Sequence, residues 1–234
     1  GGQRLGGDHL AEAEAEPVLL GFNHLKPCHQ PEQNDEEDGE LQWERAVAEG
    51  HTGRYPGSRS TPTYQDGRLY VISTAGEVLC LDAKDGSEIW SREMSDFGGK
   101  RPHWGFAESV LALDDKIIIT PGGKCCLVAL DPKNGKTLWQ GLPYGAAHYT
   151  SGIPAESEGV EMIIAGKTLW TDDFAANNTA NCPTPAFADG RVFWAVGYGK
   201  GGVCLKLDVT DGKVAAERDW TTKKMVCHHG GYVI

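Results

Sequence analysis

Short runs of alternating apolar and polar residues, separated by glycine-containing turns, make up most of this 234-residue chain. The stretch from Thr61 to Met94 is typical, because TPTY, RLYVIS, VLCLD and SEIWSREM are separated by the turns QDG, TAGE and AKDG. Period-two alternation between such turns predicts antiparallel strands joined as hairpins. This stretch is therefore predicted to form one sheet of four short antiparallel strands.

The same four-strand pattern recurs along the chain. LCLDAKDGSEIW, which ends at Trp90, matches LVALDPKNGKTLW, which ends at Trp139. Turn glycines of five copies lie at positions 39, 86, 135, 166 and 212, so three intervals are 46 to 49 residues and one is 31. Four strands per repeat of this length are typical of a β-propeller, whose blades pack against their neighbours. We predict an all-β propeller of four-stranded antiparallel blades, with about four blades present in a partial ring; chance hairpins in a sandwich are the disfavoured alternative.

One repeat is shorter than the others, and the chain begins with a segment that has little strand pattern. The stretch GVEMIIAGKTLW, residues 159–170, passes from a second-strand pattern directly to a fourth-strand ending, which predicts one shortened blade. Residues 1–38 contain an acidic run from Asp35 to Asp38, whose usual role is a solvated loop. We therefore predict an N-terminal extension and incomplete first blade over residues 1–38, and propeller repeats over residues 39–234.

Tryptophan and aspartate recur in register, which indicates a structural role for both. Trp90 and Trp139 each follow a turn glycine by four residues, and we predict that each indole covers the glycine turn of an adjacent blade. Asp82, Asp131 and Asp208 each end a strand just before a turn, where a carboxylate can accept turn N–H groups. These residues are therefore interpreted as structural features of the repeat and not as catalytic residues.

The seven cysteines include the adjacent pair Cys125 and Cys126 but no C-x-x-C spacing, which removes the usual zinc, thioredoxin-like and haem-attachment interpretations. Alignment of the repeats places the adjacent pair at the start of a third strand. Neighbours in a strand point to opposite faces, so a disulfide between them is disfavoured. Cys80 and Cys204 lie in apolar runs and are predicted to be small buried residues.

The motif apolar-Asp-x-x-x-Gly-x-x-x-Trp, in LDAKDGSEIW and LDPKNGKTLW, resembles the repeat of the pyrroloquinoline quinone (PQQ) propeller superfamily. The resemblance extends from about Leu41 to Trp220. It implies a ring of seven or eight blades, of which this chain would supply about four, with the remaining blades of a larger propeller as partners. The superfamily holds both quinoprotein alcohol dehydrogenases and non-enzymatic scaffolds that help to assemble outer-membrane proteins, so the repeat alone leaves both functions open.

The amino-acid composition and the net charge limit the classes of partner that the chain could bind. The formal net charge is -11, which disfavours a nucleic-acid backbone or an anionic membrane surface and makes a neutral or basic partner easier to accommodate. No run of 18 apolar residues predicts a transmembrane segment, and the chain as given starts at Gly1 with no signal peptide. We expect a periplasmic or extracellular location, in keeping with the resemblance.

The loops that lead into successive first strands carry a different polar set in each repeat. These lead-in loops are YPGSRSTPT (55–63), GGKRPHWGFAES (98–109), YGAAHYTSG (144–152), NNTANCPTP (177–185) and CHHGG (227–231). In a propeller they converge on the mouth of the channel, and their non-repeating side chains could line a pocket for a protein or small-molecule ligand. The candidate ligand-binding residues are Arg59, His103, Trp104, Glu108, His148, Tyr149, Asn178, Asn181, His228 and His229. The alternative is that they only solvate the loops, and no metal site is predicted.

Two functions therefore remain. A PQQ- and calcium-dependent alcohol dehydrogenase would need an Asp base, acidic and amide metal ligands and a ring stacked on the quinone. Trp104, Glu108 and Asn181 have suitable side chains, but no lead-in loop supplies an Asp in their company. A binding scaffold without chemistry or cofactor needs only the shaped rim, and it is the favoured prediction, with no catalytic residue assigned.

Overall fold

The computed structural model describes residues 17–23, 41–49, 57–125, 127–143, 149–164, 174, 182–228 and 231–232. Within these ranges the chain forms sixteen strands and one short 3-10 helix, Met94–Phe97. The strands are β1 Pro17–Asn23, β2 Leu41–Glu49, β3 Thr63–Gln65, β4 Arg68–Ile72, β5 Glu77–Asp82, β6 Glu88–Glu93, β7 Leu111–Leu113, β8 Lys116–Ile119, β9 Val128–Leu130, β10 Thr137–Gln140, β11 Ile153–Ser157, β12 Val160–Ile164, β13 Ala186–Ala188, β14 Arg191–Val196, β15 Gly201–Thr210 and β16 Lys213–Thr222.

The strands form five antiparallel sheets in chain order, which we number blades 1 to 5. Blades 2 (β3–β6), 3 (β7–β10) and 5 (β13–β16) have four strands each, whereas blade 1 (β1–β2) and blade 4 (β11–β12) have two. The sheets formed by the described residues do not close into a ring. The all-β, four-stranded antiparallel architecture is thus confirmed, whereas the shortened blade stays a prediction, because residues 165–170, which were expected to end blade 4, lie outside the described residues.

The hydrophobic core consists of layers between consecutive blades, because inner strands such as β4, β5, β8 and β9 present buried apolar side chains on both faces. Between blades 2 and 3, Tyr70, Ile72, Val78, Cys80 and Trp90 meet Ile117, Ile119, Val128 and Leu130 in one buried cluster. A second layer joins blade 1 to blade 2 through Trp43, Leu69 and Leu81, and a third joins blade 4 to blade 5 through Met162, Val192 and Leu205. Among the described residues, the layer between blades 3 and 4 is smaller and centres on Ile118, Leu127 and Ala129. Each blade is therefore stabilised mainly by its neighbours.

Two tryptophans seal successive blade junctions in the same way. The indole Nε1 of Trp43 donates to the Ala83 carbonyl, and that of Trp90 donates to the Pro132 carbonyl, both over 2.9 Å. A Cβ placed on Gly135 would lie only 2.8 Å from the Trp90 ring, so the turn must carry glycine at this position. The predicted contact of an outer-strand indole with the next blade's glycine turn is confirmed for Trp90.

An arginine two residues after each of these tryptophans completes the junction. Arg45 donates to the Gly86 carbonyl over 3.2 Å, and Arg92 donates to the Gly135 carbonyl over 2.7 Å. The repeat unit is therefore a Trp-x-Arg pair that holds one turn of the following blade, a feature that the sequence analysis did not recognise.

Trp139 does not follow this pattern. Its side chain is 40% exposed, compared with 8% for Trp90, and Leu138 beside it is 51% exposed. Blade 4 has two described strands, so the described residues include no third-to-fourth-strand turn that could cover Trp139. The prediction that Trp139 covers a glycine turn is not confirmed.

The predicted turn chemistry is largely observed. The N–H groups of Lys84 and Lys133 donate to the Oδ1 atoms of Asp82 and Asp131, each over 2.8 Å. Asp208 differs, because the group that donates to it is the Thr210 hydroxyl, over 3.4 Å.

Two local details differ from the sequence analysis. β1 lies within residues 1–38, where little strand pattern was recognised, and pairs with β2 to form the incomplete first blade. Because Trp90 pairs with Cys80 and Trp139 pairs with Ala129, Cys125 aligns with Gly76 and lies before the third strand rather than within it. Its thiol is free and buried and donates to the Gln140 side chain over 3.2 Å, whereas Cys126 lies outside the described residues.

Candidate functional site

The lead-in loops gather at one end of the blades. Strands alternate in direction, so the loop into the first strand and the turn between the second and third strands lie at the same end of each sheet. Contacts between neighbouring blades show this arrangement: a Cβ on Gly76, in such a turn of blade 2, would lie 2.8 Å from the Phe106 ring in the lead-in loop of blade 3. The N–H of Phe106 also donates to the Thr74 carbonyl over 3.1 Å. We call this the rim end, and the opposite end the turn end.

Three predicted site residues from three successive lead-in loops lie together at the rim end. The guanidinium of Arg59 donates to the Trp104 carbonyl over 2.6 Å. The ring of Trp104 stacks on that of Tyr149, with centroids 5.3 Å apart and planes at 17°. Burial raises the pKa of Tyr149 to about 12, and the charge of Arg59 offsets part of this rise. Arg59, Trp104 and Tyr149 thus form a continuous surface across blades 2, 3 and 4.

Hydroxyl groups hold the backbones of these loops in register. The N–H of Thr61 donates to Ser109 Oγ over 3.0 Å, and the N–H of Ser109 donates in turn to Ser151 Oγ over 2.9 Å. The hydroxyl of Thr63 donates to the Val110 carbonyl over 2.7 Å. Each loop is therefore fixed to the next, which pre-organises the side chains that they carry.

Glu108 occupies a different position from the other candidates. Its side chain is 2% exposed, and its Oε1 accepts the Thr120 N–H over 2.8 Å. Burial raises the pKa of Glu108 to about 8, with the Thr120 hydrogen bond opposing part of the rise. Because its side chain is buried, Glu108 does not face a ligand at the rim. It supports the lead-in loop of blade 3 through its hydrogen bond with the Thr120 N–H, and it is mainly uncharged near neutral pH.

The two described histidines among the candidates are both exposed. His103 lies beside Trp104, and His228 lies against the blade 5 turn, where its ring meets Tyr198 edge-on with centroids 4.8 Å apart. No group of three or more His, Cys, Asp or Glu side chains suitable for a metal ion occurs among the residues that the structure describes. The remaining predicted site residues, His148, Asn178, Asn181 and His229, lie outside the described residues.

Several residues that shape the rim end were missed by sequence reasoning. Ser109 and Ser151 lack any distinctive motif, although each lies two residues before the first strand of its blade. Tyr198 lies in a turn after a second strand, whereas the candidate site residues all came from the lead-in loops. Tyr232 bonds through its hydroxyl to both the N–H and the carbonyl of Ala195, and only the fold brings these two positions together.

Of the three residues offered for a quinone and calcium site, Asn181 lies outside the described residues, and Trp104 and Glu108 already have other partners. The Trp104 ring is stacked against Tyr149, and the Glu108 carboxyl is buried against the Thr120 N–H. No step is therefore assigned to such a group. In the described part of the chain no helix is long and apolar enough to span a membrane.

Repeated four-stranded sheets, the LDxxxGxxxW motif and the tryptophan junctions define a PQQ-type β-propeller. The sequence pattern of the family described as outer membrane protein assembly factor BamB matches residues 33–155. The chain belongs to this family.

Individual relatives were found by sequence and by structure. The chain is 25% identical to tetrathionate hydrolase of Acidithiobacillus ferrooxidans over 201 residues, which cover 83% of this chain and 35% of that protein. It is 28% identical to the outer membrane protein assembly factor BamB of Moranella endobia over 125 residues, which cover 52% of this chain and 31% of that protein. The chain spans about a third of the length of these curated relatives. The crystal structure of BamB from Moraxella catarrhalis aligns with a TM-score of 0.48 at 16% identity, over 91% of this chain and 70% of that one.

Proposed function

We propose that the chain is part of a non-enzymatic propeller scaffold that binds a protein partner through its lead-in loops at the channel rim. The observation that carries this proposal is the continuous surface of Arg59, Trp104 and Tyr149, supplied by three different blades. Aromatic and arginine side chains are enriched where proteins bind one another. Membership of a family described as an assembly factor supports a scaffold, and it supports a periplasmic location for the chain.

The partners also include the remaining blades of a larger propeller. In blade 2, the cross-strand neighbours Tyr70, Cys80 and Trp90 are covered by blade 3. In blade 5, Phe193, Cys204 and Trp220 occupy the same register but line an open groove of about 680 Å³, and Trp220 is 46% exposed. A further four-stranded sheet on this face would bury the groove as blade 3 buries its counterpart.

Site-specific photocrosslinking tests the rim proposal. A photoreactive phenylalanine analogue at Tyr149 should crosslink to a defined protein in the periplasm of the source organism. The same analogue at Lys133, an exposed position at the turn end, is the matched control. Equal crosslinking from both positions, or none from Tyr149, would contradict the proposal.

The enzymatic alternatives have their own tests. For a dehydrogenase, the purified full-length protein is incubated with PQQ and calcium and examined for quinone absorbance and dye-linked alcohol oxidation. Because the relative covering most of this chain is named a tetrathionate hydrolase, tetrathionate consumption is measured as well. Turnover in either assay would replace the scaffold proposal, whereas the scaffold proposal expects neither.

A further inference from the structure

Acidic side chains are distributed unevenly between the two ends of the blades. Each described turn between a first and a second strand, at the turn end, carries an exposed acidic side chain: Asp66 in blade 2, Asp114 and Asp115 in blade 3, Glu158 in blade 4 and Asp189 in blade 5. The turns between third and fourth strands add Asp85 and Asp211, which are also exposed. The described turns at this end therefore present seven exposed carboxylates.

The lead-in loops show the opposite composition. Across all five of them the sequence contains a single acidic residue, Glu108, although the chain contains 33. Glu108 is buried and bonded to the Thr120 N–H, and its raised pKa of about 8 keeps it mainly uncharged at neutral pH. Three further acidic side chains of blade 2 lie at this end: Glu77 and Glu93 face each other across β5 and β6, and Asp96 in the 3-10 helix pairs with Arg92. The described parts of the lead-in loops thus present no exposed acidic side chain.

Basic side chains cluster on this rim. Lys100, Arg101 and His103 are exposed on the lead-in loop of blade 3, and Lys124 is exposed on the neighbouring turn of the same blade. A Cβ on Gly98 would lie 2.8 Å from the Lys124 side chain, so the turn and the loop are in direct contact. Arg59 adjoins the cluster through its bond to the Trp104 carbonyl. We call Arg59, Lys100, Arg101, His103 and Lys124 the basic rim patch.

We propose that the basic rim patch binds an acidic segment of a protein partner. Guanidinium and ammonium groups form their strongest hydrogen bonds with carboxylates. This inference names the chemistry of the partner in the proposed function and rests on it. It differs from the expectation, drawn from net charge alone, that a neutral or basic partner is easier to accommodate.

A short acidic segment suits the patch better than an extended anionic surface does. The patch spans one loop, one turn and one neighbouring arginine, and charges interact strongly only within a Debye length of about 8 Å at physiological salt. A membrane or a nucleic-acid duplex would extend beyond the patch and meet the long-range repulsion of a chain with net charge -11. A peptide of a few carboxylates can stay within it.

Fluorescence anisotropy with fluorescein-labelled decaglutamate tests the proposal on the purified chain. The variant K100E/R101E should weaken binding by about tenfold or more, and raising salt should weaken wild-type binding steeply. The control K84E/K133E makes the same change of charge at exposed positions of the turn end and should change the affinity by no more than about twofold. Circular dichroism establishes that both variants fold, and K124E replaces the double variant if that one does not.

The outcomes separate this inference from the proposed function. Equal weakening by both double variants would show that only net charge matters, and absent binding of decaglutamate at low salt would also overturn the inference. Binding of phosphatidylglycerol vesicles in place of decaglutamate would assign the patch to an anionic lipid surface instead. If Tyr149 still crosslinks to a protein in any of these cases, the rim binds a protein, but not through an acidic segment of that protein.

Discussion

Two successive blade junctions begin with the same kind of outer-strand tryptophan but differ in what lies opposite it. Trp90 lies at the junction between blades 2 and 3, and Trp139 lies at the junction between blades 3 and 4. Trp90 is held by the Pro132 carbonyl and the Gly135 turn, whereas Trp139 is 40% exposed. Arg92 reinforces the first junction, while the position two residues after Trp139 is Gly141. Within the described residues, Trp90 is covered by the outer hairpin of blade 3, whereas no described hairpin covers Trp139.

Truncation of the two tryptophans should show the largest difference between the junctions. Trp90→Ala removes a side chain that is 8% exposed, and we expect it to lower the free energy of unfolding by about 3–5 kcal/mol. Trp139→Ala, the matched control, should cost about 1 kcal/mol because much of the side chain is already in solvent. Urea denaturation followed by circular dichroism measures both, and equal losses would break the comparison.

Blade 3 belongs to both junctions, and Glu108 gives it a predicted pH dependence. The folded-state pKa of about 8 lies above the usual value of about 4.3 for an unfolded chain, so the folded chain holds a proton that the unfolded chain releases. The free energy of unfolding should therefore fall as pH rises from about 5 to about 8, by at most about 1.4 kcal/mol per pH unit, and the fall should stop above that range.

Glu108→Gln should remove this fall, since a neutral amide can still accept the Thr120 N–H. The exposed carboxyl of Glu156 provides the control, and Glu156→Gln should leave the pH profile unchanged. Urea denaturation at several pH values measures the profiles. A wild-type stability that stays constant over this range would mean that Glu108 is not held uncharged.

Alanine at two turn glycines isolates the contribution of the indole contact. Gly135 and Gly212 have nearly the same φ, 68° and 70°, so both substitutions carry similar backbone strain. A Cβ on Gly135 would lie 2.8 Å from the Trp90 ring, whereas a Cβ on Gly212 would meet nothing within 4 Å. Gly135→Ala should therefore be more destabilising than Gly212→Ala by about 1–2 kcal/mol in thermal or urea unfolding. Matching losses would show that the indole moves aside.

Removal of Arg92, which reinforces the junction between blades 2 and 3, should have the smallest effect of these changes. Arg92→Met keeps most of the apolar stem but loses the hydrogen bond to the Gly135 carbonyl and the exposed ion pair with Asp96, and it should cost about 1 kcal/mol of unfolding free energy. Arg191→Met removes an exposed pairing with Asp219 and should destabilise the fold less than Arg92→Met does. A larger loss at Arg191 would contradict the role given to the Trp-x-Arg pair.

The repeat pattern was sufficient to predict the blades because its signals are local. Turn residues such as Asp82 and Asp131 and the alternation within β4 and β5 depend on neighbours in sequence, so they can be recognised without the fold. β1 was missed because PVLLGFN is a short apolar run without alternation, and its partner strand lies beyond an acidic segment.

The rim was predictable in part for a related reason. Equivalent positions in successive blades lie side by side, so the repeat alignment alone brought Arg59, Trp104 and Tyr149 to one end of the molecule. Burial is not encoded in that alignment. Glu108 was interpreted as a rim residue, but its carboxyl group is buried against the Thr120 N–H, and only the fold brings these two groups together.

The layered core has a consequence for how the molecule loses its structure. Because each apolar layer joins only consecutive sheets, the blades form a nearly linear array in which stability is a sum of units and their nearest-neighbour interfaces. Cooperativity in such an array is limited by its weakest interface. The small layer around Ile118, Leu127 and Ala129 is therefore where we expect sub-global opening to begin, and hydrogen exchange in β11 and β12 should be faster than in β4 and β5.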